Sequence, residues 1–374
     1  MTRPLDIVVF GPTITSSRGN GHATTYRALL KGLHEQEHRV RFLERDVPCH
    51  AAHRDLPDPD FCTLGLYRSL DTVLCSNAGR LMSADAVIVG SSVPEGAALI
   101  DRLLAMDLAQ LCFYDIDTPE TLARLARGEE EYLARRQIPR LDLYLSLSGG
   151  AVLRRLERDW GAVRAEALHS SVDPALYRPT GAVPEWDLGY LGTWSPDRQP
   201  ALERLLIEPA RRLPERRFVV AGAQLPDLAD WPANVERIAH LPSHRRADFY
   251  NRQRFTLNVT RPEMIAAGWS PPARLFEAAA CGTPIVSDDW RGLRELFPDA
   301  VRIVRSTEDV VRTLVTVGEA ERCAMAERAR RLVLERHTGA VRAAELARVL
   351  SGAGALRALR PSDIPRARLE GVPT

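Results

Sequence analysis

Lysine is almost absent from this sequence. Lys31 is the only lysine among the 50 basic residues, and all the others are arginine. A Walker-type phosphate loop is therefore excluded, because no lysine follows a run of glycines. A mechanism that depends on a catalytic lysine could use only Lys31, which lies in a polar helical segment with Glu35.

The chain also has little net charge and no long apolar run. Its formal net charge is +1, which gives no reason to expect a nucleic-acid partner. No apolar run approaches the roughly 18 residues of a membrane span. Residues 1–6 lack the apolar core of a signal peptide. We therefore expect a cytoplasmic protein without integral membrane contact.

Closely spaced cysteine pairs are missing as well. The chain has six cysteines, and no two of them are separated by only two residues. Zinc sites and disulfide frameworks usually show such regular spacing. The pattern therefore indicates reduced cysteine in a cytosolic protein, and we expect no metal site.

Short apolar runs alternate with helical segments along the chain, as in doubly wound α/β proteins. A length of 374 residues suits two domains. Strands are predicted at residues 6–10, 38–43, 86–89, 111–114 and 141–145, then at 188–192, 217–221, 235–238, 255–259, 284–287 and 301–304.

A proline-rich segment, residues 170–186, interrupts this alternation. We predict an N-terminal Rossmann-like domain over residues 1–177 and a C-terminal Rossmann-like domain over 178–350. A long arginine- and alanine-rich helical segment, about 319–350, would close the fold. The remaining tail, 351–374, is rich in proline towards its end and is expected to be loosely ordered.

The segment 271–288 is the most informative part of the chain. It predicts a short helix that stops at a glycine and leads into an apolar run. Free N–H groups at the helix start suit a diphosphate, and Arg274 can add two parallel hydrogen bonds. Glu277 can accept hydrogen bonds from the hydroxyls of a ribose. Together they indicate a nucleoside-diphosphate site, to which Leu275 of the same helix also belongs.

This segment resembles the donor-nucleotide motif of glycosyltransferases with two Rossmann domains, the GT-B fold, related to glycosyltransferase family 4 (group 1). The group it most resembles is that of the CgeB-like, spore-maturation glycosyltransferases. Residues 171–179, Ser-Val-Asp-Pro-Ala-Leu-Tyr-Arg-Pro, are similar to the Val-Asp-x-x-x-Phe-x-Pro segment that joins the two domains in such enzymes. Residues 17–24 lie where the family has its N-terminal glycine-rich loop. The resemblance implies a donor bound by the second domain and an acceptor bound by the first.

The N-terminal loop supplies the first group of candidate site residues. Gly19 and Gly21 let the backbone approach a ligand closely, while Arg18 and Asn20 complete the loop. His22 would lie at a helix start in the cleft, where a histidine can take a proton from an acceptor hydroxyl. The alternative is a surface or helix-capping histidine.

Two carboxylates, Asp115 and Asp117, follow a predicted strand. One of them is expected to act in the cleft. The Asp-x-Asp pattern is also the metal motif of the other glycosyltransferase fold, but that fold lacks a donor helix like the one after Pro272. The alternative is a structural role next to a helix capped by Thr118.

Several residues that follow strands of the second domain are donor-binding candidates. Gly192 and Thr193 form a loop beside the expected diphosphate. Arg198 and Arg261 are candidate phosphate ligands. Leu241 lies where a main-chain contact to the nucleotide base is plausible.

One position departs from the family pattern. Many retaining relatives have a glutamate eight residues before the position of Glu277, and here that residue is Trp269. Ser270 or the backbone would have to make the missing contacts. Neither retention nor inversion at the sugar can therefore be inferred.

The resulting hypothesis is a hexosyltransferase-type glycosyltransferase with a nucleoside-diphosphate sugar as co-substrate and no cofactor or metal. The acceptor and the oligomeric state are open. Two rivals remain: a nucleotide-sugar epimerase on the same fold, and a non-catalytic sugar-nucleotide-binding or coat-associated protein.

Overall fold

The computed structural model describes residues 3–17, 21–222, 231–239 and 241–357. Three candidate site residues, Arg18, Gly19 and Asn20, lie outside this part of the chain. Most of the predicted tail, residues 351–374, also lies outside the described part. Its first residues, up to Arg357, continue a helix.

Within the described residues the first sheet has seven parallel strands in the order β3-β2-β1-β4-β5-β6-β7. The strands are β1 (Asp6–Gly11), β2 (Arg39–Arg45), β3 (Thr63–Tyr67), β4 (Ala86–Gly90), β5 (Leu111–Asp115), β6 (Leu143–Ser146) and β7 (Ala165–Ala167). The intervening helices are α1 (Gly21–Glu35), α2 (Pro48–Ala51), α3 (Leu70–Ser83), α4 (Gly96–Leu103), α5 (Thr118–Ala126) and α6 (Ala151–Trp160), with a 3-10 turn at Arg135–Arg140.

The second sheet has six parallel strands among the described residues, in the order β10-β9-β8-β11-β12-β13. These are β8 (Trp186–Leu191), β9 (Phe218–Ala221), β10 (Val235–Ile238), β11 (Gln253–Asn258), β12 (Ile285–Ser287) and β13 (Val301–Ile303). Its helices are α7 (Gln199–Leu202), α8 (Glu208–Arg212), α9 (Arg246–Asn251), α10 (Pro262–Ala267), α11 (Ala273–Ala280), α12 (Leu293–Leu296), α13 (Thr307–Thr316) and α14 (Glu319–Arg336), with a π turn at Glu203–Ile207 and a 3-10 turn at Ser243–Arg245.

Each sheet is buried on both faces. Along β1, Val8 and Phe10 pack into one apolar cluster, whereas Ile7 and Val9 pack into another on the opposite face. Successive residues of a strand point to opposite faces of the sheet. Because helices cover both faces of a parallel sheet, an inner strand has a run of apolar residues instead of apolar residues that alternate with polar ones. The predicted fold class, two Rossmann-like α/β units, is confirmed.

The eleven predicted strands are all present, but β3 and β7 were not predicted. Both lie at the edges of the first sheet, where part of each strand stays exposed to solvent. An edge strand need not be apolar, and β7 has only three residues. Neither strand therefore shows the apolar run by which the inner strands can be recognised.

The predicted C-terminal helical segment is present, but it consists of two helices. The segment is broken at His337 and Thr338, and a further helix, α15 (Gly339–Arg357), follows. Helix α15 packs against α1 of the first unit, and its apolar residues join the cluster under that helix. The chain therefore returns to the first unit, while the predicted boundary at residue 178 stays a prediction.

Two glycines explain the close approach of these helices. A Cβ at Gly32 would lie 2.3 Å from the backbone oxygen of Gly339, and a Cβ at Gly339 would lie 2.0 Å from that of Ala28. Neither position has room for a larger residue.

Among the described residues, no helix is both long enough and apolar enough to cross a membrane.

Candidate functional site

A cleft of about 1220 Å³ lies between the carboxyl ends of the two sheets. Ile116 and Leu147, which follow β5 and β6, line it from the first unit. Gly192 and Gly222, which follow β8 and β9, line it from the second. Ligands of doubly wound proteins bind at this end of a parallel sheet, because the loops there leave a crevice.

Most predicted site residues that the structure describes meet in this cleft. They are Gly21, His22, Asp117, Gly192, Thr193, Arg198, Leu241, Arg261, Arg274 and Glu277. Three others do not line it: Asp115, Ser270 and Leu275. The cleft thus brings together residues more than 250 positions apart, although each was recognised from its local context alone.

His22 and Asp117 form a hydrogen-bonded pair across the first unit. Nε2 of His22 lies 2.6 Å from Oδ2 of Asp117. Burial by itself would lower the pKa of His22, but the charge of Asp117 and its hydrogen bond raise it above the ordinary value. Burial would likewise raise the pKa of Asp117, but the imidazolium holds it below the usual range. Such a carboxylate fixes the tautomer and orientation of a histidine.

Asp115 lies beneath this pair and does not face the cleft. Its side chain is fully buried and accepts hydrogen bonds from the hydroxyls of Tyr144, at 2.6 Å, and Thr121, at 2.8 Å. The backbone N–H of Asp117 donates to it as well. Burial raises the pKa of Asp115 to about 6, against the effect of these hydrogen bonds. Asp115 therefore supports the turn that carries Asp117 and cannot touch a substrate.

Asp117 also takes the cap position that Thr118 was expected to hold. Helix α5 begins at Thr118, and Asp117 is its N-cap residue without a side-chain capping bond. The Thr118 hydroxyl instead donates to the backbone oxygen of Asp115. The carboxylate of Asp117 is thereby left for His22.

Three arginines converge on one wall of the cleft. They are Arg198, Arg261 and Arg274. Burial, and then the positive charges of Arg274 and Arg261, lower the pKa of the Arg198 guanidinium. Its Nε is buried and donates to no acceptor among the described residues. Arg198 is buried, whereas Arg274 is half-buried and Arg261 is exposed. Positive charges that converge in this way repel one another and favour a bound anion.

Arg274 is held in place by its surroundings. It lies over the ring of Tyr190, 5.5 Å from the centroid, and Nη1 donates to the backbone oxygen of Val259 at 2.8 Å. Gly192 is required beside it, since a Cβ there would lie 2.4 Å from the Tyr190 hydroxyl and 3.1 Å from Nη2 of Arg274. Helix α11 starts one residue earlier, and Pro272 and Ala273 of that start line the cleft.

Glu277 lines the cleft but is only 5% exposed. The hydroxyls of Tyr177 and Tyr250 each donate to it at 3.0 Å, one to each carboxylate oxygen. Nη1 of Arg246 lies 3.5 Å from Oε1. None of these three partners was predicted. Tyr177 is visible in the linker motif, whereas no local pattern marks Arg246 or Tyr250.

Ser270 and Trp269 belong to a contact between the two units. The hydroxyls of Ser270 and Ser148 are 2.6 Å apart. The Trp269 ring lies against glycines of both units, because a Cβ at Gly150 or Gly292 would come within 2.4 or 2.5 Å of it. Trp269 itself has a positive φ of 44°. Trp269, which stands where many relatives have a glutamate, thus contributes to packing between the two units.

A second contact between the units borders the cleft. The hydroxyls of Ser17 and Ser243 are 2.7 Å apart, and Ser17 also donates to Asp55 at 2.6 Å. Burial would raise the pKa of Asp55, but hydrogen bonds from Arg27 and Ser17 lower it. Asp55 is therefore a charged anchor on the first unit. No sequence motif marked it.

The part of the chain that the structure describes has no group of three or more His, Cys, Asp or Glu side chains arranged to hold a metal ion.

A family model described as glycosyl transferase-like matches residues 198–348. This range includes α11 and all three arginines of the cleft. A comparison with curated proteins gives no match.

Solved structures match over nearly the whole chain. Sucrose-phosphate synthase from Thermosynechococcus elongatus is 12% identical, with a TM-score of 0.68, and the match covers 95% of this chain and 100% of that one. HepE from Anabaena is 12% identical, with a TM-score of 0.66 and coverages of 93% and 100%. AviGT4, a glycosyltransferase involved in avilamycin A biosynthesis, is 19% identical, with a TM-score of 0.64 and coverages of 94% and 98%.

The chain has the GT-B fold. At these identities the similarity concerns the fold, in which two Rossmann-like units face a common cleft. The cleft between the units of this chain is therefore the place to seek its function.

Proposed function

We propose that this protein is a metal-independent glycosyltransferase of the hexosyltransferase type, which moves a sugar from a nucleoside-diphosphate sugar to an acceptor hydroxyl. The observation that carries the proposal is the cluster of Arg198, Arg261 and Arg274 at the start of α11, with Glu277 one turn further on. The cluster fits a diphosphate, and the carboxylate fits the ribose next to it.

The comparisons support this proposal and favour uridine as the base. The matched family model is described as glycosyl transferase-like. The HepE structure contains UDP and glucose, and the trehalose-6-phosphate protein of E. coli, another structural match, is bound to UDP-2-fluoro glucose. We therefore take a UDP-hexose as the donor. The three sequence motifs further favour the CgeB-like group. The widely spaced cysteines favour a cytoplasmic location.

In this proposal His22 is the general base. Nε2 donates to Asp117, so the neutral imidazole has Nδ1 as its basic nitrogen. The acceptor oxygen attacks the anomeric carbon while the bond from that carbon to the diphosphate oxygen breaks. The acceptor proton passes to His22.

The electron pair of the broken bond stays on the nucleoside diphosphate. The three arginines stabilise the charge that develops there, as a preorganised electrostatic site does. A metal ion can serve the same purpose in other enzymes. In this proposal the three arginines that line the cleft take that role, and hydrogen bonds to backbone oxygens hold two of them, Arg198 and Arg274.

A thermal-shift screen against UDP, GDP, dTDP, ADP and CDP tests donor binding. A ligand at 100 times its Kd stabilises a protein by about 2.7 kcal/mol, so UDP should raise Tm most. Release of UDP from UDP-glucose in the presence of an acceptor panel then tests transfer.

Other outcomes of these experiments would support the rivals. No stabilisation by any nucleoside diphosphate would contradict the proposal. An epimerised donor after incubation without acceptor would indicate an epimerase. Binding without transfer to any acceptor would favour a non-catalytic sugar-nucleotide-binding protein.

A further inference from the structure

The segment between β7 and β8 connects the two units and brings one side chain into contact with Glu277, which lines the cleft. Tyr177 of this segment is 5% exposed, and its hydroxyl donates to Oε1 of Glu277 at 3.0 Å. The motif that this segment resembles has phenylalanine at this position. The hydroxyl, and with it the hydrogen bond to Glu277, is therefore a feature of this chain.

The same segment is fastened to the first unit four residues earlier. Asp173 forms an ion pair of 2.9 Å with Lys31, the only lysine of the chain, on helix α1. The other carboxylate oxygen of Asp173 accepts from the N–H of Ala175 and so shapes the turn that leads to Tyr177. Helix α1 also carries His22, so one helix is linked to both halves of the cleft.

The two crossings between the units lie side by side at this point. Val172 donates to the backbone oxygen of His337 at 3.0 Å and accepts from the N–H of Gly339 at 3.1 Å. These residues connect α14 to α15, which returns to the first unit. The two connections between the units are therefore joined by backbone hydrogen bonds at this point.

The hydrogen bonds at Glu277 leave it able to accept more. A carboxylate has about four lone-pair sites. Tyr177 occupies one on Oε1 and Tyr250 one on Oε2. Burial and the nearby carboxylate raise the pKa of Tyr177 well above its ordinary value, so its hydroxyl stays a donor. Arg246 lies 3.5 Å from Oε1 as an ion-pair partner and is not hydrogen-bonded to it. Each oxygen therefore has a lone pair left with which to accept from a hydroxyl of a ribose.

We propose that Tyr177 is a positioning residue that holds Glu277 for the 2′- and 3′-hydroxyls of the donor ribose and connects this contact to the segment that joins the units. The inference rests on the proposed function, because it presupposes a nucleotide at Glu277. It explains why a linker residue is buried among nucleotide-site side chains.

Tyr177→Phe tests this inference, because it removes the hydroxyl and keeps the ring. Calorimetry with UDP and with 2′,3′-dideoxyuridine diphosphate compares ligands with and without the ribose hydroxyls. The variant loses one of the two hydroxyls that hold Glu277, but that of Tyr250 still holds the other carboxylate oxygen. We therefore expect UDP binding to weaken about 5- to 10-fold, with the dideoxy ligand unaffected.

Tyr67→Phe is a matched control. Tyr67 is also 5% exposed, lies in the first unit, and has a buried hydroxyl without a hydrogen-bond partner among the described residues. This variant should bind both ligands like the wild type. The melting temperature of each variant shows whether it is folded.

The outcomes separate this inference from the proposed function. If the wild type binds no nucleoside diphosphate, the proposed function fails, and the inference with it. If the wild type binds UDP but Tyr177→Phe binds both ligands as the wild type does, only the inference is overturned. Equal weakening of both ligands in this variant also overturns it, because Tyr177 would then act through general packing.

Discussion

At the scale of single residues, Glu277 shows how burial changes the expected effect of a substitution. From the sequence, replacing Glu277 should remove hydrogen bonds to the ribose and leave the fold intact. In the structure the carboxylate is also the acceptor for two buried tyrosine hydroxyls and a neighbour of Arg246. Its removal therefore leaves donors and a positive charge without a partner.

We predict that Glu277→Gln weakens UDP binding by about 10- to 100-fold, since charged hydrogen bonds contribute about 1.5–3 kcal/mol. Calorimetry checks the affinity. Glu277→Ala should in addition lose about 1–3 kcal/mol of unfolding free energy, because it leaves two buried tyrosine hydroxyls without an acceptor, as urea unfolding would show. An unchanged dissociation constant in folded Glu277→Gln would remove Glu277 from the site.

The His22 and Asp117 pair makes the turnover dependent on pH. A general base must be neutral, so kcat should rise as the pH increases through the pKa of His22, which lies above its ordinary value. Asp117→Asn removes the charge that raises this pKa, while burial and Arg261 continue to lower it. We predict that the acidic limb of the kcat profile moves to lower pH in Asp117→Asn.

The comparison variant for this profile is His22→Ala. His22→Ala should lower kcat by about 10²- to 10⁴-fold, and its kcat profile should lack the acidic limb that His22 causes. UDP binding should change little, because His22 lies on the other side of the cleft from Glu277. Two results would contradict the proposal that His22 is the general base. One is wild-type turnover in His22→Ala, and the other is an acidic limb that stays at the same pH in Asp117→Asn.

At the scale of helices and strands, the inner elements were predictable and the edges and junctions were not. An inner parallel strand such as β1 is buried on both faces and therefore shows as an apolar run. The break between α14 and α15 could not be predicted, because residues 319–338 contain no glycine or proline. It arises from tertiary contacts, since residues 337–339 pair with Val172 of the linker.

The packing of α15 on α1 gives a test of element structure. We predict that Gly32→Ala destabilises the protein by about 1–3 kcal/mol, because the added Cβ would lie 2.3 Å from a backbone oxygen that cannot move freely. Gly79→Ala, in helix α3, is the control. Its Cβ would meet nothing within 4 Å, so it should stabilise by about 0.5–1 kcal/mol.

Urea unfolding of the two variants checks this prediction. Equal stability of Gly32→Ala and the wild type would mean that α1 and α15 are not in close contact.

At the scale of the whole molecule, the two-unit fold and many residues on the second unit's side of the cleft could be predicted from sequence. Arg274 and Glu277 lie within one short helix, so their spacing is visible in the chain. Contacts between distant residues could not be predicted. The pairing of His22 with Asp117 depends on how the first unit folds, and that of Tyr177 with Glu277 depends on how the linker enters the second.

The central claim is that the arginine cluster binds the diphosphate of the donor without a metal ion. Calorimetric titration of the wild type with UDP and with uridine, both in EDTA, tests it most directly. If Arg198, Arg261 and Arg274 bind the diphosphate, UDP should bind at least about 100-fold more tightly than uridine, since two charged hydrogen bonds contribute about 3 kcal/mol or more. Equal affinity for the two ligands, or UDP binding that appears only after manganese is added, would contradict the claim.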